Sequence, residues 1–141
     1  MDRRELLQGL AGAAMLSMAA DAAAQPEAAK ATGLYQLRVY HTYPGKLDDL
    51  AARFRNHTMT IFARHGMRSV GYWLPTDEPL KGNALFYMLA FKDRESADAS
   101  WEAFRNDPEW KQVSAASEAN GKLVEKVDSI FMTPTDFSPR I

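Results

Sequence analysis

The chain contains no cysteine. Disulfides, thiolate catalysis and cysteine-based zinc sites are therefore excluded. It has no long run of like charge, and its formal net charge is -1. That balance argues against nucleic acid as a partner and against a charged membrane-surface footprint. No apolar run approaches the roughly 18 residues of a spanning helix, so stable membrane insertion is not expected. Absent too are the GxSxG, P-loop, GxGxxG and HExxH patterns, and with them the hydrolase, NTPase, dinucleotide and zincin readings. Three histidines occur, and no 2-His-1-carboxylate set accompanies them, so no metal site is expected.

What is present is ordinary for one globular domain: 141 residues, 46% of them hydrophobic and 25% charged, enough to bury a core without staples. The first 24 residues differ from the rest. Arg3-Arg4, an Ala/Leu/Met/Gly segment and Ala22-Ala23-Ala24 follow the three-part layout of a secretory signal. The paired arginines before Leu6-Leu7 are twin-arginine-like. The general secretory route, and an Ala-rich first helix of the domain, are the alternatives. The expectation is an exported, periplasmic or secreted protein, with residues 25–32 as linker and 33–141 as the domain. Removing residues 1–24 takes away Arg3, Arg4, Asp2, Glu5 and Asp21, leaving the two signs balanced.

Leu34 to Tyr43 is aromatic, β-branched and alternating, as a strand is. Tyr35, Leu37, Val39, His41 and Tyr43 make its more apolar face, expected under the helices; Leu34, Gln36, Arg38, Tyr40 and Thr42 share the mixed face. Pro44-Gly45 turns the chain. Leu47, Leu50, Ala51, Phe54, Ile61 and Phe62 then recur at helical spacing, and Gly66 suits the C′ position. Met67 to Leu74 reads as a second strand. Ala84 to Lys92, nearly all apolar, reads as a central strand covered on both faces. Asp93 caps a helix running to Asn106, with Ala97, Trp101 and Phe104 inward. Asp107-Pro108 starts another, with Trp110 and Val113 inward. Leu123 to Met132 alternates as a last strand with two mixed faces, and Thr133 to Ile141 is a tail. The order is that of a ferredoxin-like split β-α-β sandwich, α+β with a four-stranded antiparallel sheet. Its second sheet face, with Phe86, Met88 and Tyr40 on or near it, calls for a homodimer.

The set Tyr35-x-Leu37-Arg38-x-Tyr40, Pro44-Gly45-Lys46-Leu47, His65-Gly66, Val70-Gly71-Tyr72-Trp73, Asp107-Pro108-Glu109-Trp110 and Pro134-Thr135-x-Phe137-Ser138-Pro139 resembles the NIPSNAP domain. The likeness covers about Leu34 to Pro139. It implies a dimeric α+β barrel, in which two ferredoxin-like protomers pack their sheets together. Relatives of that fold include small monooxygenases, haem-degrading enzymes and dehydratases, so the fold does not name a reaction.

Five side chains are candidates for function. His57, three after Phe54 and four before Ile61, borders the inward stripe: a base or haem ligand in a pocket, or a histidine hydrogen-bonded at the core's edge. His41 ends the first strand and is the second candidate base. Arg38 and Tyr40, beside Gln36, are a polar strip able to hold an anionic group or to join an interface network. Trp73, with Trp101, Trp110, Tyr72 and Tyr87, belongs to the core and interface or to a pocket for a flat apolar ligand. His65 reads as a cap or a surface residue. The functional expectation is a small-molecule-binding or interaction module needing no cofactor. A cofactor-independent monooxygenase or isomerase of an aromatic or enolic compound, and haem binding, are the alternatives.

Overall fold

The computed structural model describes residues 33–141; the signal-like segment and the linker lie outside them. The strands are β1 (Leu34–Thr42), β2 (Arg68–Trp73), β3 (Ala84–Phe91) and β4 (Val124–Met132). Helix α1 joins an α-helical run Leu47–Arg53, a π-helical turn Phe54–Thr58 and an α-helical run Met59–Arg64. Helices α2 (Arg94–Asn106) and α3 (Pro108–Ser117) follow β3. The sheet is antiparallel in the order β2-β3-β1-β4, the split β-α-β arrangement, with all three helices on one face.

The punctuation follows the local chemistry. Gly66, at φ +75, closes α1: its N–H donates to the Ala63 carbonyl at 3.1 Å, and that of Met67 to Phe62 at 3.0 Å. This is a Schellman cap, for which glycine is the favoured residue. Asp93 caps α2 by accepting from the Ser96 N–H at 2.8 Å. Asp107 caps α3 by accepting from Glu109 N–H at 2.8 Å, with Pro108 at the first helical position.

The inward residues expected of α1, Leu50, Phe54, Ile61 and Phe62, are buried, but His57 departs from their stripe, for a definite reason. At about 100° per residue, an unbroken α-helix would set His57 roughly 20° from Leu50, in the middle of the inward stripe. The π-turn accommodates one extra residue and sets everything after it back by one position. Thr58, 1% exposed, takes the inward place, and its Oγ1 donates to the Arg53 carbonyl at 3.3 Å. His57 faces out and is exposed. The core beneath is aromatic: Tyr87, fully buried, packs against Phe54, Phe62, Tyr40 and Tyr72 at centroid distances of 5.1 to 5.9 Å.

The two faces of β1 are the reverse of the expectation. Gln36, Arg38, Tyr40 and Thr42 lie under the helices, because Leu89, Tyr87 and Leu85 oppose the first three across β3 and belong to the buried core. Tyr35, Leu37, Val39 and His41 are on the other face, beside Ala90, Met88, Phe86 and Ala84. Tyr40 is therefore not on the open sheet, whereas Phe86 and Met88 are. β3 is central, as its apolar run implies, but its second face has no covering layer among the described residues. Trp73 and Ile130 stand on that open face, 51% and 56% exposed. β4 orients with Phe131 inward and Ile130 outward.

Candidate functional site

The polar strip of β1 is the floor of a cleft between the sheet and helices α2 and α3. The cleft holds about 520 Å³ and is lined by Gln36, Arg38, Tyr40, Trp101, Trp110 and Phe131 among others, with Asp98, Glu102 and Arg105 also on its lining. Each floor residue is positioned by partners from elsewhere in the chain. Gln36, 2% exposed, accepts from the Trp101 indole N–H at 2.7 Å and donates to Ser129 Oγ at 2.9 Å. Its amide is thus held between helix and edge strand. Arg38 lays its guanidinium on the Trp101 ring, 4.3 Å from the centroid, a cation–π arrangement. Arg38 Nε donates to Tyr87 Oη at 2.8 Å and its Nη2 to Tyr40 Oη at 3.3 Å. Tyr87 Oη in turn donates to Tyr40 Oη at 2.9 Å.

No carboxylate pairs with Arg38 among the described residues. Desolvation works against its charge, but the Tyr40 and Tyr87 oxygens outweigh it, and the guanidinium pKa is raised above its ordinary value. Burial pushes the Tyr87 phenol well above its usual range, helped by Tyr40 and opposed by Arg38. At neutral pH the cluster therefore sets a fixed cation beside the neutral Tyr87 phenol. A second arginine lies behind it: Arg53 is 6% exposed, stacks on Trp110 at 5.1 Å and donates to Ser117 Oγ at 3.2 Å. Its Nε is buried with no hydrogen-bond partner. Desolvation lowers its pKa, opposed by Tyr40, Glu118 and Tyr87. Glu118 Oε1 lies 3.7 Å from Arg53 Nη1 and partly offsets its charge.

The candidate residues separate accordingly. Arg38, Tyr40 and Gln36 converge in the cleft, Trp101 forms its wall, and Tyr87 anchors it from below. His57 lines a different groove, of about 560 Å³, between α1 and α3. His41 is on the open sheet face, its Nε2 2.8 Å from Asp128 Oδ2. The two histidines thus sit in opposite layers and share no pocket. Trp73 lies across Gly71 on the open face and takes no part in the cleft. His65 sits with Arg64 on the α3 cap: Asp107 Oδ2 is 2.6 Å from His65 Nε2 and 2.7 Å from Arg64 Nη2. Those bonds, Arg64 first, hold the Asp107 carboxyl below the usual range. Among the described residues no three His, Cys, Asp or Glu side chains are grouped to hold a metal ion.

The bonding of Tyr87 and Gln36, and the buried Arg53, went unrecognised in the sequence. Buried polar groups need partners, but Gln36 finds one 65 positions away and Arg38 another 49 away, separations no local pattern reveals.

Comparison with known proteins agrees with this architecture. The NIPSNAP family profile matches residues 35–139. A NIPSNAP domain protein from Burkholderia xenovorans superposes with TM-score 0.65 at 23% identity, over 75% of this chain and 98% of that one. A NIPSNAP family protein from Agrobacterium tumefaciens gives 0.67 at 20% identity, over 78% and 95%. A cofactor-independent oxygenase from Streptomyces nogalater gives 0.52 at 15% identity, over 78% and 100%. At these identities the structures share the fold. A search of curated proteins found no match.

Proposed function

The chain belongs to the NIPSNAP family, and from that premise we propose that it is a homodimeric small-molecule binder that holds a flat, anionic compound in the helix-side cleft. One observation carries the reading: Arg38 presents a charge without a carboxylate partner to a cleft walled by Trp101, Trp110 and Phe131. A half-buried cation with phenols for neighbours and an aromatic wall suits a planar acid, which supplies the missing charge and covers the rings. Chemistry on such a compound, of the oxygenase or isomerase kind, is the second reading, favoured by the Tyr40 phenol on the cleft lining. With His57 and His41 elsewhere it has no imidazole base, and haem has no histidine ligand in this cleft.

The open sheet face, with Leu37, Phe86, Met88 and Ile130, supports a dimer formed by sheet packing. Export is proposed on Arg3-Arg4 and Ala22-Ala23-Ala24; fusing residues 1–32 to a reporter, in cells with and without the twin-arginine translocase, tests it. For the cleft, calorimetric titration compares 2-naphthoate with neutral 2-naphthalenemethanol on wild type and on Arg38→Gln. A hydrogen bond to a charged group contributes about 1.5–3 kcal/mol, so the variant should lose roughly tenfold to a hundredfold for the acid alone. Equal loss for both ligands, or none for the acid, would contradict the reading.

A further inference from the structure

The hydrogen bonds on Tyr40 run in one direction. Its Oη accepts from Arg38 Nη2 at 3.3 Å and from Tyr87 Oη at 2.9 Å. Tyr87 has already accepted from Arg38 Nε at 2.8 Å, so its own proton goes to Tyr40. A phenol has one proton to give and two lone pairs to receive. With both lone pairs of Tyr40 engaged, its hydroxyl hydrogen is the group left over. No described side chain accepts it, and Tyr40 lines the cleft. The hydrogen turns about the phenol's own C–O bond, and the two donors already seated on the oxygen leave it only the remaining direction. The side-on edge of Arg38 is likewise spent on the two phenols and one of its faces on Trp101. What remains of the guanidinium is the end that carries Nη1 and the second hydrogen of Nη2.

We infer that Tyr40 O–H and the free end of Arg38 form a two-donor seat for a single ligand oxygen, and that the cleft selects a conjugated oxyanion, a phenolate or the enolate of a flat ring ketone. The inference rests on the cleft being the ligand site. Two preset donors converging on one atom stabilise a charge concentrated there, and the aromatic walls take the ring that bears it. A carboxylate is served by the arginine end alone and gains less from Tyr40. Tyr87 acts as a positioning residue: by donating to Tyr40 it decides which way the Tyr40 proton faces.

The test uses 4-nitrophenol, whose phenolate absorbs in the visible, with 4-nitroanisole as the neutral control and 2-naphthoate as the carboxylate. On wild-type protein the bound nitrophenol should titrate about one pH unit or more below the free compound, a tenfold preference for the anion. Tyr40→Phe should cost about tenfold in nitrophenolate affinity, return the bound titration toward the free value, and leave nitroanisole and naphthoate within about twofold. Tyr87→Phe should move the titration part of the way while keeping Tyr40. Circular dichroism confirms that both variants fold. Nitrophenolate binding that is indifferent to Tyr40→Phe, or wild type that binds naphthoate and refuses nitrophenolate, overturns the inference and leaves the binding reading standing. Wild type that binds none of the acids overturns both.

Discussion

The π-turn in α1 makes a prediction that a straight helix reverses. Introduce the same new charge at two adjacent positions, as His57→Asp and Thr58→Asp. Both pay a similar intrinsic helix cost, below about 0.7 kcal/mol, so the difference between them reports burial. His57 is exposed, and surface substitutions of that kind usually fall within about 0.5 kcal/mol. Thr58 is 1% exposed and sits among Leu50, Phe54, Ile61 and Phe62 on the inward stripe. An unpaired carboxylate there faces a desolvation penalty of several kcal/mol, against a total stability on the order of 5–15 kcal/mol. Thr58→Asp should therefore lose at least about 3 kcal/mol more than His57→Asp. Urea unfolding at pH 7, followed by fluorescence and far-ultraviolet circular dichroism, measures both. Equal losses, or the larger loss at His57, would refute the assigned register and return His57 to the core edge.

The sheet-face dimer predicts that wild type has twice the protomer mass by light scattering at micromolar concentration. Ile130→Lys or Met88→Glu, each placing a charge on the apolar open face, should shift it to monomer with the circular dichroism unchanged; a monomeric wild type would contradict the interface. The α3 cap predicts acid sensitivity. A folded pKa held below the unfolded one stabilises above the unfolded value, near 3.9 for aspartate, and the contribution fades as pH falls through the folded value. Asp107, Asp128 and Asp93 are all lowered, by Arg64, His41 and Ser96 first in turn. Thermal midpoints should therefore fall below about pH 4, and Asp107→Asn should be less stable than wild type at pH 7 with the gap closing toward pH 2. A gap independent of pH would assign the effect to something other than this carboxylate.

Element order, both aspartate caps, the glycine cap and the inward residues of α2 were legible because each depends on neighbours within one turn of chain. The faces of β1 were not. Counting apolar residues chose Tyr35, Leu37 and Val39 for the helix side, yet those residues face the open sheet. Apolarity distinguishes covered from wet surface, and here it does not distinguish one cover from another. The polar strip of Gln36, Arg38 and Tyr40 read as a mixed face for a partner or a wet cavity because its bonding partners, Trp101 and Tyr87, lie on distant elements. His57 drew attention through its spacing alone, and a single π-turn removed it from the stripe that made it interesting. Arg38 and Tyr40 were marked from the sequence as able to hold an anion; their company, and hence the kind of anion, came only with the packing.

The central claim is that the helix-side cleft, and no other surface, takes the planar acid. The chain has three tryptophans, placed as reporters: Trp101 and Trp110 line the cleft, and Trp73 lies on the open sheet face. A titration of 15N-labelled protein with 2-naphthoate, followed through the three indole N–H signals, reads the site directly. The account predicts saturable shifts of Trp101 and Trp110 with Trp73 unmoved, and their loss in Arg38→Gln. Movement of Trp73 alone, or three unmoved signals at saturating naphthoate, would contradict it.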